Sequence, residues 1–125
     1  MKKDTAKLIS RAEACLEEAH HLLAYDHYLG AINRAYYCIF DCARALLHEN
    51  EIFAKTHQGV QTKFNDAFIK TGLIQRNHGN AMRHLFALRQ ASDYDFDAEL
   101  TREDAVYAND MAAQFLQTCK HFLGG

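Results

Sequence analysis

Residues 26–48 read DHYLGAINRAYYCIFDCARALLH, and the spacing of apolar side chains within this stretch decides the fold class. Leu29, Ile32, Tyr36, Ile39, Phe40, Ala43, Leu46 and Leu47 recur at helical intervals, the period of one buried helix face. Asp26 stands where an N-cap belongs, so the stretch predicts a helix running from there to about His48. Upstream, Leu8, Ile9, Ala12, Cys15, Leu16, Ala19, Leu22 and Leu23 predict another over about residues 4–24. Downstream, a third follows Thr56 with Val60, Phe64, Ala67 and Phe68 inward, and Gly72 is placed to end it in a left-handed turn. A fourth begins near Arg76 or Asn80, carries Met82, Leu85, Phe86 and Leu88, and is expected to end before the acidic stretch at 93–97. Thr101 with Asp104 starts a fifth, whose inward face is Ala105, Ala108, Ala112, Phe115, Leu116, Cys119, Phe122 and Leu123.

The whole chain has 125 residues and no proline, which suits long helices better than strands joined by tight turns. The expectation is an all-α, up-and-down bundle of about five helices, forming one domain over residues 1–125 with the second helix at its centre. A formal charge of -2 rules out a global positive field, so any site for nucleic acid must be local. The opening MKKDTAK runs into an amphipathic pattern, with neither a signal peptide nor a membrane span, and a cytoplasmic protein is expected. Cys15, Cys38, Cys42 and Cys119 lack the paired spacing of a zinc site and read as reduced core residues.

Two features exceed what a plain bundle needs. On the second helix Asn33, Arg34, Tyr37, Asp41, Arg44 and His48 share one arc. That arc is either a solvated face with ion pairs, such as Asp41 with Arg34 or Arg44, or a polar groove shared with a partner chain. The fourth helix, from Gln75 to Ser92, holds Arg76, Arg83, Arg89, His78 and His84 and no acidic residue, which makes it a local positive patch. Arg76, Arg83 and Gln90 align as an outer stripe, whereas Arg89 falls near Met82, Leu85 and Phe86 on the apolar side. An arginine there is paired with a buried carboxylate, packed at a subunit interface, or held for an anion such as phosphate.

Other chemistry finds little support. Glu17 with His20 and Glu18 with His21 have the spacing of half a di-iron site, but no second copy exists, and no metal or cofactor is assigned. His20, His21 and His27 read as surface residues. Nucleophile motifs and glycine-rich phosphate loops are missing, which sets aside ordinary hydrolase and kinase chemistry.

Taken together, Asn33-Arg34-Ala35-Tyr36-Tyr37, Lys55-Thr56-His57-Gln58-Gly59-Val60 and Arg89-x-x-x-Asp93-Tyr94 resemble the small stand-alone proteins of the HEPN family, in order and spacing over nearly the whole chain. The resemblance implies a helical homodimer, often encoded beside a minimal nucleotidyltransferase as a toxin and antitoxin pair, in which the HEPN protein is a metal-independent RNase. The family signature is an arginine followed after four to six residues by a histidine, with two copies meeting across the dimer. Arg89 matches the arginine, but Tyr94 stands where the histidine belongs. Tyrosine's ordinary pKa of about 10 makes it a poor base at neutral pH. The implied catalytic set is therefore Arg89, Asp93, Tyr94 and His57, where His57 matches a histidine common in the subgroup and supplies the lost function if it faces Arg89. Asn33, Arg34, Tyr37 and Arg83 are the candidate contacts for RNA or nucleotide, and Tyr94 is the matching acceptor for AMP from the partner enzyme. The alternative is a non-catalytic module that binds nucleotide or docks the nucleotidyltransferase, and a third is a structural dimer in which Arg89 and Asp93 merely pair.

Overall fold

The computed structural model describes residues 1–95 and 98–124, with Tyr94 described by its backbone alone. Five helices account for it: α1 (Lys3–Ala24), α2 (Tyr28–Glu49), α3 (His57–Phe64, continued by a π-helical turn over Asn65–Ile69), α4 (Arg76–Tyr94) and α5 (Arg102–Phe122). No strand occurs among the described residues, and the fold is the all-α bundle expected. No described helix is long and apolar enough to cross a membrane.

Helix α2 touches each of the other four and buries thirteen of its residues, which makes it the central helix. Its run against α1 is antiparallel: the backbone N–H of Lys2, just before α1, donates to Glu49 Oε1 at the end of α2, while Leu22 near the other end lies against Gly30. Helix α5 lies beside α2 in the same direction, with Cys38 opposite Ala112 and Cys42 opposite Cys119. Alanines at 31, 35, 45, 105, 108 and 112 are all fully buried, and their small side chains let these helix backbones approach closely. The four cysteines are free and buried, as expected. Hydrogen bonding with the Cys119 and Cys38 thiols, together with burial, pushes Cys42 well above the usual thiol range, so it is held as an inert thiol.

The ends of the helices differ from the expectation in instructive ways. Asp26 does not cap α2; it adopts a left-handed φ of 60° in the turn that ends α1, where the N–H groups of Asp26 and His27 donate to the carbonyls of Leu23 and Leu22. His27 occupies the N-cap position without a side-chain bond. The same turn recurs after α2 with Glu51 at φ 60°. Helix α4 runs through Asp93 and Tyr94 rather than stopping before the acidic stretch, of which Phe96 and Asp97 lie outside the described residues. Thr101 and Asp104 form the full reciprocal capping box at the start of α5. Leu29 and Phe122, both expected inward, are 45% and 40% exposed, because each sits at a helix terminus beyond the reach of the core. Gly72 does end the α3 segment in a left-handed turn, at φ 77°.

Candidate functional site

Three of the segments singled out in the sequence converge on one face. Thr56 caps α3 by accepting from the Gly59 N–H at 2.9 Å, and a Cβ at Gly59 would come within 2.8 Å of that hydroxyl. The Thr56 to Gly59 spacing therefore sets the start of the helix and places His57 in its first position. From there the imidazole packs on Phe40 of α2, centroid to centroid 4.5 Å, and on Phe86 of α4 at 5.6 Å. His57 Nδ1 and the Tyr36 hydroxyl are hydrogen-bonded at 2.7 Å.

Arg89 enters this aromatic cluster from α4. Its guanidinium carbon lies 5.7 Å from the Tyr36 ring centre and 5.1 Å from that of Tyr37, while Arg34 approaches Tyr37 at 5.2 Å. Such contacts hold a guanidinium against the negative face of a ring without neutralising it. Among the described residues Arg89 has no carboxylate partner, and Asp93, one turn further on, is exposed and forms no ion pair with it. The pairing of Arg89 with Asp93 expected of a purely structural dimer is not present. Arg34 makes a long ion pair with the exposed Glu18 at 3.7 Å.

The electrostatics follow from this geometry. Burial, with the nearby Arg89 charge, pulls the His57 pKa below its ordinary value and keeps the imidazole neutral. Burial pushes the Tyr36 phenol up to about 12 despite Gln61 and Arg89, so its proton stays on at neutral pH. Asn33, one turn before Tyr37 on α2, has a buried side-chain oxygen with no hydrogen-bond partner among the described residues. Asp41, on the same arc, is buried and shared by Arg11 of α1 at 3.7 Å and Arg44 at 4.0 Å, rather than paired with Arg34.

The structure thus brings together Arg89, His57, Tyr37 and Arg34, whereas Asn33 borders a separate depression with Asp26, His27 and Tyr28. Arg83 lies elsewhere, on the exposed stripe of α4 with its guanidinium on Asn80, where it borders a depression with Arg76 and Lys70. The Tyr94 side chain lies outside the described structure. His78 leaves the positive patch altogether: it is 6% exposed, bonded to Asn77 at 2.9 Å and Thr118 at 3.0 Å. Sequence reasoning passed over Tyr36, Phe40 and Phe86, which read as plain core because they fall on the apolar stripes. A tyrosine at a buried position needs a partner for its hydroxyl, and that requirement was the available signal. Among the described residues no three metal-ligating side chains converge.

The helical bundle thus presents two guanidinium groups and an imidazole on an aromatic bed. The HEPN domain matches residues 5–122, and the chain belongs to that family. A Methanocaldococcus jannaschii protein named "putative toxin" is 35% identical over 98% of this chain and 83% of its own length. A second protein of that organism with the same designation is 33% identical over 89% and 84%, and a Thermotoga maritima UPF0332 protein is 34% identical over 75% and 71%.

Proposed function

We propose that the chain is a HEPN toxin-like endoribonuclease that acts as a homodimer and cleaves RNA without a metal. The observation that carries this reading is Arg89 seated on Tyr36 and Tyr37, with no carboxylate partner among the described residues, beside a neutral His57. A guanidinium so held keeps its charge and its planar fork for the two non-bridging oxygens of a phosphate. In the tautomer whose Nδ1–H donates to the Tyr36 oxygen, the Nε2 lone pair of His57 is free to take the proton of a ribose 2′-hydroxyl. The 2′-oxygen then attacks the adjacent phosphorus, the bond to the 5′-oxygen breaks, and that oxygen needs a proton as it leaves. Tyr94, in its own or the partner copy, is the candidate donor, and Asp93 orients the group beside it. Arg34, Tyr37 and Asn33 extend the contact along the strand. The naming of two relatives as "putative toxin" supports a toxin role. In this reading the antitoxin is a minimal nucleotidyltransferase that attaches AMP to Tyr94.

Tyrosine at position 94 favours one other reading, in which the same face binds nucleotide or the partner enzyme without cleavage. Purified wild type and Arg89→Ala, incubated with tRNA and mRNA in EDTA, separate the two. Loss of about 100-fold or more in cleavage by a variant that keeps its light-scattering mass is the expected result, the scale of removing one donor to transition-state charge. In the same variant the His57 pKa should rise toward its ordinary value, since the neighbouring charge is gone. Equal cleavage by both proteins refutes the role of Arg89, and no cleavage by either moves the conclusion to the binding module.

A further inference from the structure

Arg44, which lies over Phe40, also lines a cavity that the catalytic reading does not use. Phe40 carries His57 at 4.5 Å and the Arg44 guanidinium at 5.6 Å from its ring centre, so Arg44 stands between the Arg89 cluster and this cavity. The cavity holds about 200 Å³, with Leu8, Leu47 and Ile52 as floor and Arg44, His48 and Lys55 as rim. A neighbouring depression shares Leu8, Arg44 and His48 with it and adds Lys7 and Arg11. Its size suits a heterocyclic base, below the ~300–1,000 Å³ of sites for drug-sized ligands.

Charge and shape at the rim agree on the occupant. Lys7, Arg11, Arg44 and Lys55 are four fixed cations, against Asp4 at the edge and Asp41 beneath, on a chain whose net charge is -2. Glu49 and Glu51 nearby are already engaged by the N-terminal amine and Lys2. Phe53 stands at the mouth, 62% exposed and edge-on to His48 at 5.2 Å. Its loop is pinned, since Lys63 Nζ donates to the Phe53 carbonyl at 2.6 Å and the Ile52 N–H to that of Leu47 at 2.8 Å. An exposed, pre-placed aromatic beside an apolar slot and a cationic rim is the chemistry that holds one unstacked base with its phosphate.

We propose that this cavity is a subsite for an RNA strand, taking the nucleotide that flanks the one held by Arg89 and His57. The base enters over Leu47 and Ile52 against Phe53, and Lys55 and Arg44 meet its phosphate. The inference rests on the RNA reading of the Arg89 face. Its test is the binding of a short single-stranded RNA, 2′-O-methylated throughout so that it cannot be cut, followed by fluorescence anisotropy across a salt series. Phe53→Ala and Lys55→Ala alter exposed side chains and leave the core intact. Phe53→Ala should weaken binding at least about fivefold with an unchanged salt slope, the low end of what one stacked base contributes. Lys55→Ala should weaken it and reduce the slope of log K against log salt by about 0.7. If both variants bind as wild type while Arg89→Ala does not, the subsite is refuted and the Arg89 reading stands. If Phe53→Ala weakens binding and Arg89→Ala does not, the subsite stands and the Arg89 reading falls. Absence of binding by wild type overturns both. A changed light-scattering mass with intact RNA binding would make Phe53 a protein contact and overturn the subsite.

Discussion

Replacing Tyr36 by phenylalanine removes one oxygen and nothing else from the centre of the site. The ring is 1% exposed and lies near Phe40 at 6.0 Å, Phe86 at 5.7 Å and the Arg89 guanidinium at 5.7 Å, all contacts that phenylalanine retains. What disappears is the 2.7 Å hydrogen bond to His57 Nδ1. A hydrogen bond of this kind has a net worth of about 0.5–1.5 kcal/mol, and because His57 is only half-buried, water can partly replace the lost partner. The expected cost is therefore about 1 kcal/mol, which at a urea m-value of ~2 kcal/mol/M moves the midpoint by ~0.5 M. Tyr36→Ala, which empties the ring's place, should cost ~3–5 kcal/mol. Urea denaturation followed by circular dichroism measures both, and NMR titration follows His57 in the phenylalanine variant. A rise in the His57 pKa identifies the phenol as donor to Nδ1, and a fall identifies Nδ1–H as the donor, the form that frees Nε2 as a base. A Tyr36→Phe protein with unchanged midpoint and unchanged His57 titration would refute the reasoning, because the hydrogen bond would then contribute nothing.

Two further outcomes are expected from the rest of the fold. His78 is buried and its pKa is pulled below the ordinary value by desolvation, so the unfolded chain binds its proton first; stability should hold above about pH 6.5 and decline as pH falls through that value toward the folded pKa. His57 adds in the same direction, and His78→Gln should flatten the acid-side slope of the urea midpoint; an unchanged slope would assign it to other groups. Thr101→Ala removes the hydroxyl that accepts from the Asp104 N–H, leaves the backbone N–H of position 101 donating to Asp104, and should cost about 1 kcal/mol with m unchanged, whereas a loss below about 0.3 kcal/mol would mean that the helix start frays in the native protein.

Much of the architecture was legible in the chain because helical period and capping chemistry are local. The stripes of α1, α2 and α5, the Thr56 and Thr101 caps and the Gly72 turn each depend on residues within a few positions of one another. Asp26 was misread for a related reason: aspartate suits both an N-cap and a left-handed turn, and only the closing of α1 onto α2 selects the second. Leu29 and Phe122 kept the period but lost the burial, since period says nothing about where the neighbouring helix stops. The odd placement of Arg89 was visible in its angle on the helix, and the absence of a carboxylate partner among the described residues was not. That absence, the seat on Tyr36 and Tyr37, and the approach of His57 from a third helix join residues about fifty positions apart. Sequence alone determined the helices and the apolar stripe of each; tertiary packing decided which side chains are buried and which of them meet, because burial, charge and hydrogen bonding at this site arise between helices and not along any one of them.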